Sequence, residues 1–300
     1  MSAVRERMPV AEEPPALDLR AGNHDAKRGR RVRALMLTVA LLYVAVLLVL
    51  PLAGIAVSAL KGGIGTFFST FTQADVLHAF FLTFVIMLVT VVVTTVFGLV
   101  VALVLARDRF VGRRFMSALV DLPLGVSPVI VGLMAVLLFG RGGWFESFFA
   151  ARGIQIMYAL PSMILVTIFI SIPFTIREVV PVLQELGTEE EQAAWTLGAG
   201  RLQTFFRITL PNIRWGLWYG IALSAARAIG EVGAVLIVAG SIQGKTETST
   251  LYILRVFDQS HSAAQDQPGY VVALALAAFS IVLLVGIEYF KRREIKEAGK

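Results

Sequence analysis

The sequence predicts an all-α membrane protein with six transmembrane helices and with both termini in the cytoplasm. Three observations lead to this class: 57% of the 300 residues are hydrophobic, only 16% are charged, and several apolar runs are long. A soluble globular chain carries about a quarter charged residues, and about 20 apolar residues cross a bilayer core as one helix. We therefore expect one membrane domain at residues 34–290, between a disordered basic cytoplasmic tail (1–33) and a second cytoplasmic tail (291–300).

The apolar runs give six candidate spans in order along the chain. They cover residues 34–60, 80–106, 119–140, 159–176, 213–240 and 270–290. The first run follows a basic stretch, as the core of a signal peptide does, but it is about twice as long as the usual core of 7–15 residues. We interpret it as a retained membrane anchor.

Lys and Arg are distributed unevenly among the loops. Of the 27 Lys and Arg residues, 21 fall in the two tails and in the loops after the second and fourth spans, and 5 fall in the other loops. Because cytoplasmic loops carry the excess of positive charge, this bias places both termini in the cytoplasm. It also accounts for the net charge of +6 without a nucleic-acid partner.

The chain carries no pattern typical of catalysis or metal binding. It has no cysteine and only three histidines, which are far apart. The stretch GSIQGKT at 240–246 has three residues between its glycines, where a phosphate-binding loop needs four. We expect no catalytic residue, no metal site and no cofactor bound by this chain.

A polar segment, TEEEQAAWTLGAGRLQTFFRITLP at 188–211, interrupts the apolar chain on the predicted cytoplasmic side. Thr188 and Glu191 have the spacing of a capping box, in which each side chain bonds a free backbone amide at the helix start. Gly198 is expected in the left-handed conformation that ends a helix, and a second, amphipathic helix should end at Pro211. Such a helix–turn–helix either docks onto another protein or packs on the spans of its own chain.

This segment resembles the EAA loop of bacterial ABC importer permeases, whose pattern is E-A-A, three residues, Gly, nine residues and I-x-L-P. The triplet here is Gln-Ala-Ala, so a salt bridge of the family's first Glu would need a shifted carboxylate from one of the glutamates before it. The resemblance implies a coupling helix that fits a cleft in an ATPase subunit. Its coupling residues would be Glu190, Glu191, Gln192, Ala193, Ala194, Leu197, Gly198, Ile208, Leu210 and Pro211.

Two further segments, DLPLGVSPVIVGL at 121–133 and ARAIGEVGA at 226–234, are similar to the sulfate/thiosulfate branch of these permeases, especially its CysW-type subunit. The resemblance covers roughly residues 35–290. It implies a type I ABC importer permease fold in the bacterial inner membrane and import of sulfate or thiosulfate by alternating access. The alternatives are a molybdate or tungstate permease, a secondary transporter and a membrane scaffold that transports nothing.

The same resemblance implies the partners. They are a second permease, of the CysT type, two copies of an ATPase subunit that binds ATP and Mg, an extracytoplasmic sulfate-binding protein, and membrane lipid. ATP hydrolysis would take place on the ATPase subunits, while this chain would transmit the movement and form half of the pathway.

The fifth span carries small residues every four positions, which favours close approach of another helix. They are Ala222, Ala226, Gly230 and Ala234. Beside them, Arg227 and Glu231 are also four residues apart. Arg227 lies near mid-membrane, where a charge must face protein or water. It either attracts an anion in the translocation pathway or gate, or forms a structural pair with Glu231.

The third span contains Ser127-Pro128, which interrupts the backbone hydrogen bonds of a helix. Such breaks persist in membranes where the freed backbone groups find partners or line a cavity. The pair therefore marks either a pathway wall or a simple kink. The predicted outer loop at 241–267 either docks the binding protein or covers the bundle.

Overall fold

The structure, a computed structural model, describes the backbone of residues 19–298 and the side chains of residues 33–262 and 265–289. All regular elements in this range are helical, and residues 1–18 and 299–300 of the two predicted tails lie outside it. The helices are α1 (Leu19–Leu60), α2 (Gly63–Thr70), α3 (Ala74–Arg107), α4 (Arg113–Gly125), α5 (Pro128–Phe139), α6 (Glu146–Ala150), α7 (Leu160–Leu186), α8 (Glu189–Thr196), α9 (Arg201–Thr204), α10 (Leu210–Ile229), α11 (Gly233–Ala239), α12 (Ser249–Gln259) and α13 (Ala263–Ala298), and a π-helical turn covers Phe205–Thr209.

Four helices of the described chain, α1, α3, α7 and α13, are long and apolar enough to cross a membrane. Two bent pairs pass the same test: α4 with α5, at an angle of 108°, and the helix of residues 201–229 with α11, at 53°. The structure thus has four candidate spans, or up to six if each bent pair is one span. The helical backbone of α1 and α13 also extends into the segments assigned to the two tails.

The core of residues 55–300 lies around α7, which packs against α3 and α10. Two separate apolar clusters hold this packing, one around Ile86, Val166 and Val235 and the other around Leu105 and Ile213. Buried Ser and Thr side chains also lie in these helices; the hydroxyls of Thr83 and Thr167 donate to carbonyls of their own helices. Small side chains of this kind let helices approach closely in a membrane.

A close approach between helices runs along the contact of α10 with α7. A Cβ on Gly216 would lie 2.8 Å from the Val182 Cγ2, and one on Gly220 would lie 3.0 Å from the Thr175 Cα. One turn further, the Ser224 Oγ lies 3.0 Å from the Thr175 Oγ1. The seam therefore consists of small residues four apart, as predicted for this span, but two positions away from the predicted set.

The predicted set does not form one stripe. The helix α10 ends at Ile229, so Gly230 and Ala234 leave the register of Ala222 and Ala226. Ala222 and Ala234 are buried in different helices, and Gly230 is exposed. The reason is the break itself, because a period of 3.6 residues is meaningful only within a continuous helix.

Loops that the charge bias assigns to the same side meet at the same end of the bundle. Arg107, at the end of α3, contacts Glu191 of α8, and we call this the α8 end. At the far end, the His78 Nε2 lies 3.3 Å from the carbonyl oxygen of Lys245. The alternation of loops in the predicted topology therefore agrees with the packing.

Candidate functional site

The polar segment forms a short helix that ends in a tight glycine turn. Gly198 follows α8 with a φ of +87°, in the left-handed region. The backbone N–H of Ala199 donates to the Ala194 carbonyl (2.9 Å), and that of Gly198 donates to the Trp195 carbonyl (3.0 Å). These two bonds define a Schellman motif. The predicted helix end and left-handed Gly198 are confirmed.

Two glutamates of α8 are held by the chain itself. The Glu191 carboxylate accepts hydrogen bonds from the Arg107 Nη2 (3.0 Å) and from the Thr209 Oγ1 (2.8 Å). The Glu190 carboxylate accepts one from the Asn212 Nδ2 (2.6 Å). These bonds tie α8 to the last residue of α3 and to the start of the helix that becomes α10.

The predicted capping box is therefore wrong. Thr188 makes no side-chain bond to the α8 backbone, and its hydroxyl instead accepts from the Gln192 Nε2 at 2.9 Å. Glu191 points into the bundle because its carboxylate there meets both a cation, Arg107, and the Thr209 hydroxyl, in place of one backbone amide. Glu190 and Glu191 thus hold α8 in position through contacts within this chain.

The outer face of α8 is uncharged beyond its first turn. Gln192 and Ala193 are exposed, while Ala194 is buried, so the two predicted alanines do not share one face. The Trp195 and Leu197 side chains project outward, with Leu197 88% exposed. Sequence reasoning gave no role to Trp195, although a tryptophan in a polar helix is a signal for a contact surface.

The chain does not form a separate second helix that ends at Pro211. One helix runs from Arg201 to Ile229 through the π-helical turn. In this turn the Leu210 N–H donates to the carbonyl of Phe205, five residues back. The widened turn shifts the hydrogen-bond register just before Pro211, so the missing proline N–H does not terminate the helix. Ile208 and Leu210 are half-buried at this junction.

The two bent spans pack against each other at their breaks. The predicted break at Ser127-Pro128 is confirmed by the bend between α4 and α5. A Cβ on Gly233, at the start of α11, would lie 3.1 Å from the Pro128 Cβ, and one on Gly132 would lie 2.9 Å from the Ala234 carbonyl oxygen. The break after Ile229 was not predicted, although Gly230 and Gly233 were the available signal. A role of Ser127 and Pro128 in a pathway stays a prediction.

Arg227 and Glu231 form the predicted ion pair, with 2.8 Å between the Arg227 Nη2 and the Glu231 Oε2. The other Glu231 carboxylate oxygen accepts from the backbone N–H of Ala234 in the first turn of α11, and the Thr250 hydroxyl donates to the Glu231 carbonyl. Only 2% of the Glu231 side chain is exposed, against 28% for Arg227. The cation is therefore the accessible member of the pair. Contact of Arg227 with an anion stays a prediction.

The predicted outer loop is built into the far end of the bundle. The Arg255 guanidinium donates to both oxygens of the buried Glu247 carboxylate, at 2.6 Å and 3.1 Å, and these bonds raise the pKa of Arg255. Burial raises the pKa of Tyr252, whose ring packs against the Arg255 guanidinium. The Ser249 backbone N–H also donates to the Thr83 hydroxyl. These contacts favour the covering role; docking of a binding protein there stays a prediction.

The described residues include no group of three or more His, Cys, Asp or Glu side chains arranged to hold a metal ion. The phosphate-loop-like stretch at 240–246 lies at the far end of the bundle, away from α8. Its Thr246 hydroxyl donates to the Ala239 carbonyl and accepts from the Ile242 N–H. The charged side chains described above can bind ions and hold charges in fixed positions.

Comparison with known proteins identifies relatives over most of the chain. Residues 95–296 match the family of binding-protein-dependent transport system inner membrane components. The chain is 44% identical to the sulfate transport system permease protein CysW of Synechocystis sp. over 263 residues, which cover 88% of this chain and 94% of that protein. It is 37% identical to the sulfate transport system permease protein CysT of Salmonella typhimurium over 262 residues, which cover 86% and 92%.

The fold also has a solved counterpart. A chain in the crystal structure of a bacterial alginate ABC transporter, in complex with an alginate pentasaccharide-bound periplasmic protein, superposes with a TM-score of 0.73. The match covers 90% of this chain and 96% of that chain at 20% sequence identity, so it concerns the fold alone.

Proposed function

This chain belongs to the family of binding-protein-dependent transport system inner membrane components, and from that premise we propose that it is the CysW-type permease subunit of an ABC importer for sulfate or thiosulfate. The observation that carries the proposal is the 44% identity to a CysW protein over 88% of the chain. Identity to a CysT protein is lower, at 37%. The assignment to the CysW type rests on this difference.

The proposed topology has six spans with both termini in the cytoplasm of a bacterial cell, and each bent pair of helices counts as one span. Two findings support it: the excess of Lys and Arg in alternate loops, and the meeting of those loops at the two ends of the bundle. The α8 end then faces the cytoplasm, where an ATPase subunit would bind.

In the proposed mechanism, α8 is the part of this chain that a partner ATPase moves. The exposed side chains of Gln192, Trp195 and Leu197 offer an uncharged contact surface. Movement of α8 would pass directly to α3 through the Glu191 bond to Arg107. ATP binding and hydrolysis on the ATPase would thus be converted into rocking of the spans and alternating access.

The movement would also reach the break after α10. The helix that contains Thr209 continues without interruption to Ile229, next to the Arg227–Glu231 pair. We propose that this pair acts at the gate, with Arg227 as its accessible cation. Glu231 would not repel an anion strongly, because its charge is covered by Arg227 and by an amide of α11.

The proposed complex contains the partners that the resemblance implies. They are a CysT-type second permease, two ATPase subunits that hold ATP and Mg, and an extracytoplasmic sulfate-binding protein. No cofactor is proposed for this chain. Because a separate binding protein would select the anion, a transport experiment has to distinguish sulfate from a related oxyanion.

The test is transport by the complete complex in proteoliposomes with its binding protein. We expect uptake of sulfate and thiosulfate together with stimulated ATP hydrolysis. Uptake of molybdate without sulfate would replace the proposed substrate by the alternative oxyanion. A chain that copurifies with no ATPase and supports no uptake would be a scaffold instead.

A further inference from the structure

A polar cavity lies between α4 and α7 at the α8 end, away from the Arg227–Glu231 pair. Its volume is about 230 Å³, and four of its lining residues are polar: Arg113, Ser117, Arg177 and Gln184. One water occupies about 30 Å³ in the liquid, so the cavity has room for a small solvated ion. The other lining residues are apolar and reduce the local dielectric constant.

The polar residues come from matched rows on two helices. Arg113 and Ser117 are one turn apart on α4, and Arg177 and Gln184 are two turns apart on α7. The two helices are antiparallel, since Asp121 near the end of α4 bonds Arg177 while Arg113 and Gln184 line the same cavity. At 1.5 Å per residue, the segment from Arg113 to Asp121 spans about 12 Å and the segment from Arg177 to Gln184 about 10.5 Å.

The cavity has an excess of positive charge. Both carboxylate oxygens of Asp121 accept from Arg177, so this pair is internally compensated. The Arg113 guanidinium has no hydrogen bond or ion pair with any residue for which side chains are described. An uncompensated guanidinium beside apolar walls attracts anions, and Ser117 and Gln184 add neutral hydrogen-bond donors.

We propose that this cavity binds a tetrahedral oxyanion, with Arg113 as its main charged donor. A guanidinium fork matches such an anion. Two sources supply the same chemistry: imported sulfate on the cytoplasmic side, or the phosphate of an anionic lipid headgroup. The first source rests on the proposed function. The site lies beside the last turns of α7, which lead through Gly187 into α8, so a bound anion would sit next to the segment that an ATPase moves.

The test measures binding of radiolabelled sulfate to the complete purified complex, free of nucleotide and of the binding protein. The variants are Arg113→Gln and a matched control, Arg114→Gln. The Arg114 side chain is next to Arg113 in the sequence, is exposed and does not line the cavity. We expect Arg113→Gln to weaken sulfate binding at least about tenfold, as loss of a charge-assisted bond does. The sulfate affinity of the control should stay within about twofold of the wild type, because loss of a charge-assisted bond would change it more.

A lipid arm separates the two sources. Anionic phospholipid that copurifies with wild type and with Arg114→Gln, but not with Arg113→Gln, would identify a headgroup as the occupant. If Arg113→Gln does not assemble, Ser117→Ala serves as the second variant and should weaken binding of the same anion. Equal sulfate binding and equal lipid content in both arginine variants would overturn the proposal. Failure of the wild type to import sulfate would contradict the proposed function but leave this comparison decisive.

Discussion

Replacement of Glu191 by Gln should detach α8 from the bundle and uncouple transport from ATP hydrolysis. The Glu191 carboxylate bonds both Arg107 and Thr209, and 18% and 11% of the Arg107 and Glu191 side chains are exposed. Exposed ion pairs contribute only about 0.2–1 kcal/mol, while breaking a buried pair costs about 3–5 kcal/mol. For this largely buried pair we expect a loss of about 2–3 kcal/mol.

That loss corresponds to a decrease of about 30- to 140-fold in the ratio of attached to detached α8, since 1.4 kcal/mol is a factor of ten. The assay measures sulfate uptake and ATP hydrolysis in the same proteoliposomes that contain the complete complex. We expect a lower ratio of anion imported to ATP hydrolysed, because the ATPase would move a helix that no longer moves α3.

The matched control is Glu189→Gln, which makes the same chemical change at the exposed first residue of α8. It loses only a favourable interaction with the helix dipole, about 0.3–1 kcal/mol. An uptake-to-hydrolysis ratio in Glu191→Gln equal to that of Glu189→Gln would refute the role of the Glu191 contacts.

Three further predictions concern backbone and packing. Gly198→Ala should destabilise the turn after α8 by about 1 kcal/mol and lower uptake, because Gly198 has a φ of +87°. Gly200→Ala is the control and should change neither, because Gly200 has a φ of −73° and a Cβ meets no atom within 4 Å at either site. Equal uptake by the two variants would contradict this. Gly220→Ala should lower the unfolding temperature of the complex, because the new Cβ meets the Thr175 backbone. Gly286→Ala is its control, because a Cβ there meets no atom within 4 Å. An unchanged unfolding temperature for Gly220→Ala would refute the close contact. Arg227→Gln should destabilise the complex, because the buried Glu231 carboxylate would lose its paired cation. A second change, Glu231→Gln, in the same chain should restore part of the thermal stability. Normal assembly and transport in Arg227→Gln would exclude an essential role of this arginine.

Four of the six predicted spans are single long apolar helices in the structure, and they could be predicted because length and composition are local properties. Each apolar run of about 20 residues had no alternative to a helix in the bilayer. The break at Ser127-Pro128 was equally local, since proline removes a backbone donor. The end of α10 carried only a glycine signal, which is common in membrane helices and therefore weak.

The side-chain partners of α8 could not be predicted from spacing. Glu191 and Thr188 fit a local capping motif, but the stronger partner of Glu191 is Arg107, which lies 84 residues earlier in the chain. The same limit applies to the seam on α10, because the spacing alone does not show which of two sets of small residues faces α7. The turn at Gly198, which needs no distant partner, was predicted correctly.

The role of α8 as the connection to a partner ATPase is tested most directly by replacing residues 192–197 with a Gly-Ser sequence in the complete reconstituted complex. We expect uptake of sulfate to be lost and ATP hydrolysis to stop responding to the loaded binding protein, while the spans remain folded. Undiminished uptake by this variant, or ATP hydrolysis by the purified chain alone, would contradict that role.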